Sequence, residues 1–174
     1  MEFLNPTHAL RQFGLYGAYH AADFGAGAGH FTFAAAPRLE GGRLYAVDID
    51  KETLGRLLSD AKELGHRHVH GIWGDASRIG GVPLADETLD RAIAANILFQ
   101  TDDRDALVRE MKRLLKPTGK ILVIDWHDAH SYGPYAKHKF SPADAHALFS
   151  KHGFVKDKDI DAGDYHYGMI FTRP

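Results

Sequence analysis

The chain has 174 residues, of which 44% are hydrophobic and 25% charged, and its formal net charge is −2. These values are typical of a globular domain with its own core, and they leave no overall positive field that would attract nucleic acid. The absence of cysteine excludes disulfides, thiolate metal sites and a cysteine nucleophile. No apolar run approaches the ~18 residues of a membrane span and the N-terminus lacks a signal-peptide pattern, so we expect a cytoplasmic protein.

Helices and strands alternate along most of the chain. A short helix begins near Pro6 and ends at Gly14, and a strand at 19–24 leads through a glycine-rich turn into a helix over 31–36. Further strands are predicted at 43–48, 68–73, 89–95 and 120–126, with helices over 51–64 and 105–115. This alternation predicts an α/β fold with a parallel sheet covered on both faces.

The last part of the chain departs from this alternation. A polar loop over 127–140 is followed by Ser141 and Pro142, which are suited to the N-cap and first position of a helix. Two strands, at 154–160 and 166–172, are close enough in sequence to pair as a hairpin.

The glycine-rich turn carries the first functional signal, Asp23-Phe24-Gly25-Ala26-Gly27-Ala28-Gly29. A strand, a glycine turn and a helix form an anion and nucleotide site, because the glycines let the backbone approach the ligand and the helix N–H groups face it. A dinucleotide fingerprint would place its third glycine at position 30, which is His30. Taken alone, the motif is also compatible with an ordinary glycine-rich turn.

Further motifs follow at the ends and beginnings of the other strands. Asp48 lies 19 residues after Gly29, the separation at which an acid can bind ribose hydroxyls, whereas we expect Asp50 to cap the next helix. Three more stretches belong to this set: Gly74-Asp75-Ala76, the segment Pro83 to Asp90, and Leu114-Leu115-Lys116-Pro117-Thr118-Gly119.

Together these motifs resemble those of the class I S-adenosylmethionine-dependent methyltransferases, most closely the small relatives of the ubiquinone and menaquinone biosynthesis methyltransferases. The resemblance implies a Rossmann-like fold with a seven-stranded, mostly parallel sheet, an antiparallel last strand and helices on both faces. It implies one domain over 1–174, with a short N-terminal helical segment (1–18), a cofactor-binding core (19–126) and a substrate-side loop, helix and hairpin (127–174). These relatives carry glycine where this chain has Thr118, and we expect that difference to cost little.

The resemblance also implies which residues hold S-adenosylmethionine and its product S-adenosylhomocysteine at the methionine end. Asp23 would bind the methionine group, directly or through water. Gly25, Ala26 and Gly27 would form the turn beside it. Asn96, just after the fourth strand, would face the methyl donor with its backbone or side chain.

At the adenosine end the resemblance implies four further contacts. Asp48 would bind the ribose hydroxyls, and Ile49 would lie flat against the adenine. Asp75 would accept a hydrogen bond from the adenine amino group, and the Ala76 N–H would face the ring.

The sequence need not supply a catalytic base, because methyl transfer from a sulfonium depends mainly on holding the donor and the nucleophile in line. A base is needed only if the nucleophile arrives protonated. Asp125 and His127 are the candidates, since they follow the fifth strand at the edge where α/β folds bind ligands. A solvated loop histidine is an equally good interpretation of His127, and Asp128 and His130 lie in the same loop.

A metal site is not predicted. His66, His68 and His70 alternate and could share one strand face, which is compatible with metal binding. They span a predicted helix-to-strand turn, however, and no nearby acid supports them. We therefore interpret them as surface or partly packed histidines.

The sequence predicts an S-adenosylmethionine-dependent methyltransferase acting on a small-molecule acceptor. The alternatives are a non-catalytic S-adenosylmethionine-binding or scaffolding protein of the same fold and, less favoured, a nicotinamide-dependent oxidoreductase. The short N-terminal helix can cover little of a cofactor-sized site, although such sites exclude water. We therefore expect this helix and the 127–140 loop, with Tyr132 and Tyr135, to order on ligand binding, or a second subunit or large partner to cover the cleft.

Overall fold

The structure of the protein is a computed structural model that describes residues 3–127 and 140–174. Its strands are β1 His20–Phe24, β2 Arg43–Asp48, β3 Val69–Trp73, β4 Leu89–Ala95, β5 Leu115–Trp126, β6 Val155–Ile160 and β7 His166–Thr172. They form one sheet in the order β3-β2-β1-β4-β5-β7-β6. Strands β1 to β5 are parallel, and β7 runs antiparallel to both of its neighbours. The predicted fold class is therefore confirmed.

Helices cover both faces of the sheet. In the described part of the chain the α-helices are α1 Pro6–Phe13, α2 His30–Ala35, α3 Lys51–Glu63, α4 Arg104–Leu114 and α5 Pro142–Lys151. Residues of α1, α2 and α3 join one apolar cluster and residues of α4 and α5 join another. Neighbouring residues of β5 alternate between the clusters, since Val123 belongs to one and Leu122 to the other. No described helix is long and apolar enough to cross a membrane.

The caps predicted for two helices are confirmed. The Asp50 side chain accepts hydrogen bonds from the N–H groups of Glu52 and Thr53 at the start of α3, at 2.9 and 3.1 Å. The Ser141 hydroxyl accepts from the Asp144 N–H at the start of α5, at 3.1 Å. Both contacts satisfy donors that have no partner inside the helix.

Strand β5 begins earlier than predicted and contains a strained residue. Leu115 already pairs with Leu89, before a register shift, so the strand starts five residues ahead of Lys120. Thr118, within this segment, has φ +63°. A β-branched residue rarely takes this left-handed conformation, which costs roughly 1–2 kcal/mol. The backbone angle therefore argues against the expectation that threonine costs little at this position, and the substitution by glycine described below tests it.

The sheet topology concentrates several chain segments at one edge. Strand order reverses at β1, which lies between β2 and β4, and such a reversal opens a crevice at the carboxyl ends of the strands. Because β7 is antiparallel, its first residue reaches the same edge, where His166 pairs with Trp126 at the end of β5.

The N-terminal segment is fastened to the loop between β6 and β7. The Gln12 side-chain amide donates to the Asp161 carbonyl at 2.9 Å, and the Asp161 N–H donates back to Gln12 Oε1 at 3.0 Å. The ring centroids of Phe3 and Tyr165 lie 5.2 Å apart. These contacts place the start of the described chain over the carboxyl edge of the sheet.

Candidate active site

The glycine-rich turn after β1 is fixed to the end of β2. Gly25 and Gly27 have φ values of +70° and +52°, which glycine adopts without the strain that a side chain would add. The Gly25 N–H donates to the Val47 carbonyl at 2.9 Å, and the Gly27 N–H donates to Asp48 Oδ2 at 2.8 Å. A Cβ added at Gly25 would lie 3.1 Å from Cδ1 of Ile97. The turn and Asp48 therefore form one unit.

Asp48 presents a carboxylate that is oriented by backbone donors. Oδ2 accepts from Gly27, and Oδ1 accepts from the Asp50 N–H at 2.9 Å. A carboxylate has about four lone-pair sites, so each oxygen can accept one more hydrogen bond. This arrangement fits a pair of vicinal hydroxyls such as those of a ribose.

The surface beside Asp48 combines an exposed apolar side chain with a second carboxylate. Ile49 is 64% exposed and can lie against a flat ring, while Ala76 is buried. The Asp75 carboxylate already accepts from the N–H and the hydroxyl of Ser77, at 3.0 and 2.5 Å, and pairs with Arg78 Nε at 3.1 Å. An adenine amino group would therefore need the remaining acceptor site on Asp75.

These groups line a cavity of about 690 Å³, a size suited to a small ligand. It is bounded by the ends of β1 to β3, the 98–103 segment and α4; among its lining residues are Gly25, Gly27, Asp48, Ile49, Asp75, Ala76, Ile97, Gln100 and Thr101. The residues that were predicted to contact ribose and adenine thus lie around one cavity.

Buried polar groups mark the other end of the glycine turn. Asp23 is buried, accepts from the Thr32 hydroxyl at 2.7 Å, and has its pKa raised to about 7 by burial. Asn96 takes φ +55° directly after β4, which asparagine tolerates better than most residues. Its buried Oδ1 has no hydrogen-bond partner within the described ranges. An orphaned acceptor beside a carboxyl fits an amino group such as that of a methionine moiety.

A second cavity of about 590 Å³ begins where the first ends. Gly25, Gly27 and Gln100 line both cavities, so the two form one cleft across the glycine turn. The aromatic residues in the second wall are Phe3, Phe31, Phe99 and Trp126, and the polar ones include Asp23, His30, Asn96 and His166. We name the cavities after the ligands proposed for them below: the first is the adenosine end, and the second, which also contains the residues predicted to bind the methionine group, is the acceptor end.

The two residues that the sequence offered as a base lie beside the acceptor end without lining it. Asp125 is buried and accepts from the N–H groups of Phe99 and Trp126 at 3.1 and 2.8 Å, and burial raises its pKa to about 6. It therefore holds the turn after β4. The His127 N–H donates to the Tyr165 carbonyl at 2.8 Å.

Asp128, His130, Tyr132 and Tyr135 lie outside the described residues.

Among the alternating histidines, His68 Nε2 lies 2.8 Å from the Ala36 carbonyl oxygen and is used in that contact. Within residues 3–127 and 140–174, no group of three or more potential ligands is arranged to hold a metal ion.

Sequence reasoning missed His166 and Trp126. His166 is only 7% exposed, its ring centroid lies 4.2 Å from that of Trp126, and both residues line the acceptor end. The predicted hairpin implied this contact, because a last strand that runs antiparallel to β5 places its own first residue beside the last residue of β5. This implication was not used because a single histidine on a strand has no local motif.

A glycine turn after β1, an acid at the end of β2 and a cleft at the point where strand order reverses define a nucleotide-cofactor domain of the Rossmann-like class. The chain belongs to the methyltransferase domain family, whose profile matches residues 22–123.

Two curated relatives carry names of this kind. The chain is 31% identical over 107 residues to the uncharacterized methyltransferase YcgJ of Bacillus subtilis, covering 62% of this chain and 40% of that protein. It is 28% identical over 106 residues to the demethylmenaquinone methyltransferase of Anoxybacillus flavithermus, covering 60% of this chain and 44% of the relative. The matched region therefore spans less than half the length of these relatives.

Solved structures agree on the fold. A SAM-dependent methyltransferase from Aquifex aeolicus superposes with a TM-score of 0.89 at 24% identity, covering 98% of this chain and 90% of that one. The [4+2]-cyclase SpnF superposes with a TM-score of 0.85 at 16% identity, covering 97% and 79%. Because a cyclase shares the architecture, the fold by itself does not determine the reaction.

Proposed function

We propose that this domain transfers a methyl group from S-adenosylmethionine to a small-molecule acceptor bound at the acceptor end of the cleft. The observation that carries the proposal is the Asp48 carboxylate, which backbone N–H groups of Gly27 and Asp50 orient while each oxygen keeps room for a hydroxyl. It lies in the adenosine end, which the glycine turn joins to the acceptor end. When bound, S-adenosylmethionine supplies a methyl group activated on a sulfonium.

The residues of this chain would bind and orient the two reactants. Asp48 would hold the ribose, Ile49 and Asp75 the adenine, and Asp23 with Asn96 the methionine amino group. Because Asp23 has a raised pKa in the free protein, an ammonium group beside it would favour its ionised form. We expect cofactor binding to release a proton near neutral pH for this reason.

Several further expectations belong to the same proposal. The apolar wall of the acceptor end and the relative named as a demethylmenaquinone methyltransferase support a small, mostly apolar acceptor. We also propose that the protein is cytoplasmic and that residues 1–174 form one domain. The ordering of the N-terminal helix and the 127–140 loop, or cover by a second subunit, stays a prediction.

The test is isothermal titration calorimetry of the purified chain with S-adenosylmethionine, S-adenosylhomocysteine and NAD. We expect the first two to bind and NAD to give no signal. Binding of NAD without a response to S-adenosylmethionine would favour the oxidoreductase alternative. Methyl transfer from labelled donor into fractionated small molecules then separates an enzyme from a non-catalytic binding protein, which would label no fraction.

A further inference from the structure

His166 is a buried polar side chain that nothing in the cofactor proposal uses. It is 7% exposed, and neither ring nitrogen has a hydrogen-bond partner in the described part of the chain. A buried donor or acceptor without a partner costs roughly 1–3 kcal/mol. His166 also lines the acceptor end, so a ligand that displaces the protein atoms covering a ring nitrogen would supply that partner.

The structure holds the His166 ring in a defined place. Backbone pairing of β7 with β5 sets His166 directly beside Trp126, and the two rings lie 4.2 Å apart at an interplanar angle of 36°. Contact with the indole restricts the imidazole to few rotamers. A ring fixed in this way can direct a nitrogen lone pair at a bound molecule, as a positioned proton acceptor must.

The composition of the wall restricts what this cavity can bind. Its described lining contains no lysine or arginine, so a phosphate or carboxylate on the acceptor would find neither of these cations among those residues. Its one carboxyl among those residues is Asp23, which already accepts from Thr32 and is assigned to the cofactor. An ammonium acceptor would therefore lack a carboxylate of its own. Four aromatic side chains favour a flat and mostly apolar molecule.

We propose, resting on the methyl-transfer function above, that His166 takes the proton of a neutral, flat acceptor whose nucleophile is a hydroxyl, a phenol or an enol. The hydroxyl donates its hydrogen bond to the lone pair of His166. As the acceptor oxygen bonds to the methyl carbon, the carbon–sulfur bond breaks with its electron pair left on sulfur, and the hydroxyl proton passes to the imidazole. The imidazolium loses that proton to water when the product leaves.

The electrostatics are consistent with this role. Burial lowers the pKa of His166 to about 4, so the imidazole is neutral at pH 7 and its lone pair is available. A weak base of this kind accepts a proton only as the acceptor oxygen becomes acidic, which happens when it bonds to the methyl group. The proton acceptor would thus be the first residue of β7, and not Asp125 or His127, the candidates from the sequence.

The first experiment measures binding in the presence of saturating S-adenosylhomocysteine. The probes are 2-naphthol, which carries a hydroxyl, and 2-methoxynaphthalene, which has the same rings and no donor. We expect the wild type to prefer 2-naphthol by about 5- to 10-fold, the range that one hydrogen bond supplies. His166→Phe should lose this preference, and His66→Phe, a matched change on the far side of the sheet, should keep it.

The second experiment separates proton transfer from binding. His166→Gln keeps a side-chain acceptor for the hydroxyl and cannot take up its proton. We expect it to keep the preference for 2-naphthol while the rate of methyl transfer to that probe falls at least about 100-fold, as for loss of a general base. An unchanged rate in His166→Gln would overturn the proton-transfer role.

The outcomes distinguish this proposal from the function on which it rests. Failure of the wild type to bind S-adenosylhomocysteine would remove the methyl-transfer function itself. With that binding intact in wild type and variants, loss of the preference in His127→Phe instead of His166→Phe would assign the role to the loop histidine. Failure of 2-naphthol to bind the wild type would overturn the proposed class of acceptor.

Discussion

The adenosine and acceptor ends of the cleft differ in how far their polar groups are satisfied before any ligand binds. At the adenosine end, the carboxylates of Asp48 and Asp75 are each held by backbone N–H groups at 2.8 to 3.0 Å. At the acceptor end, both ring nitrogens of His166 are buried without partners among the described residues. The protein itself supplies hydrogen-bond partners at the adenosine end, whereas the polar groups at the acceptor end would gain partners from a ligand.

This difference has an energetic meaning. Preorganised donors and acceptors lower the ordering cost of binding, so the adenosine end is suited to tight binding of one constant ligand. Unpartnered buried groups cost stability and recover it when a matching ligand arrives, which favours discrimination between ligands. The comparison therefore assigns affinity to one end and selectivity to the other, and the following substitutions test it.

The largest effect is expected for Gly27→Val. Valine at φ +52° strains the turn and disturbs the N–H that orients Asp48. We expect S-adenosylhomocysteine binding to weaken by more than about 100-fold, read by calorimetry, which is roughly 3 kcal/mol.

The matched control is Gly17→Val. Gly17 has a φ of +73°, and a Cβ there would meet nothing within 4 Å, so this change adds similar backbone strain away from the cleft. It should cost stability and leave binding unchanged. Equal loss of binding in both variants would show that the turn itself has no special role.

Asp23, which lines the acceptor end, should make stability fall as pH rises. Its folded-state pKa of about 7 exceeds the ordinary aspartate pKa of 3.8, so between these pH values the folded chain holds a proton that the unfolded chain has lost. The stabilisation is complete below about pH 4 and is lost as pH approaches and passes 7. By linkage the loss is on the order of 2–4 kcal/mol.

Urea unfolding of the ligand-free chain at pH 5 to 8 measures this effect. Asp23→Asn cannot titrate and keeps an oxygen for the Thr32 hydroxyl, so its free energy of unfolding should fall less steeply with pH than that of the wild type. Asp125 and His166 titrate in both proteins and cancel in the difference. Parallel pH profiles would contradict the prediction, because they would mean that Asp23 is already ionised in the fold throughout pH 5 to 8.

Asp48→Asn tests the adenosine end with a smaller change. The variant loses one acceptor oxygen and the negative charge, and a charge-assisted hydrogen bond is worth roughly 1.5–3 kcal/mol. We expect S-adenosylmethionine to bind about 10-fold or more weakly in calorimetry. Asp50→Asn is the control, because asparagine caps a helix about as well as aspartate and Asp50 faces α3. Unchanged affinity in a folded Asp48→Asn variant would place the ribose elsewhere.

The smallest effect, outside the cleft, is expected for Thr118→Gly. Removing the side chain at φ +63° relieves backbone strain, offset in part by the greater freedom of glycine in the unfolded chain. We expect a gain of about 1 kcal/mol in the free energy of unfolding, with cofactor binding unchanged. A loss of stability would show that contacts of the threonine side chain outweigh its strain.

The adenosine end could be predicted from the sequence because its residues follow individual strands in a fixed order. Gly27 and Asp48 each come directly after or at the end of a strand, and parallel strands bring their carboxyl ends to one edge. The strain at Thr118 could not be predicted, because composition and spacing do not report a backbone angle. The roles assigned to these residues remain predictions.

The acceptor end could not be predicted in the same way. Phe3, Trp126 and His166 are far apart in sequence and meet only because β7 inserts beside β5 and the N-terminal segment folds over the edge. None of the three belongs to a local motif. Finding them would have required knowing which strands are neighbours in the sheet. The sequence alone is compatible with several strand orders.

The attachment of the N-terminal segment to the β6–β7 loop has a practical consequence for protein production. A purification tag fused ahead of Phe3 would emerge at the rim of the acceptor end, since Phe3 lines that cavity and its ring centroid lies 5.2 Å from that of Tyr165. The other terminus is remote, because β7 runs away from the cleft and the Arg173 N–H bonds to the Gly119 carbonyl near the opposite edge. Ligand screens and crystallisation should therefore use a tag placed after Pro174.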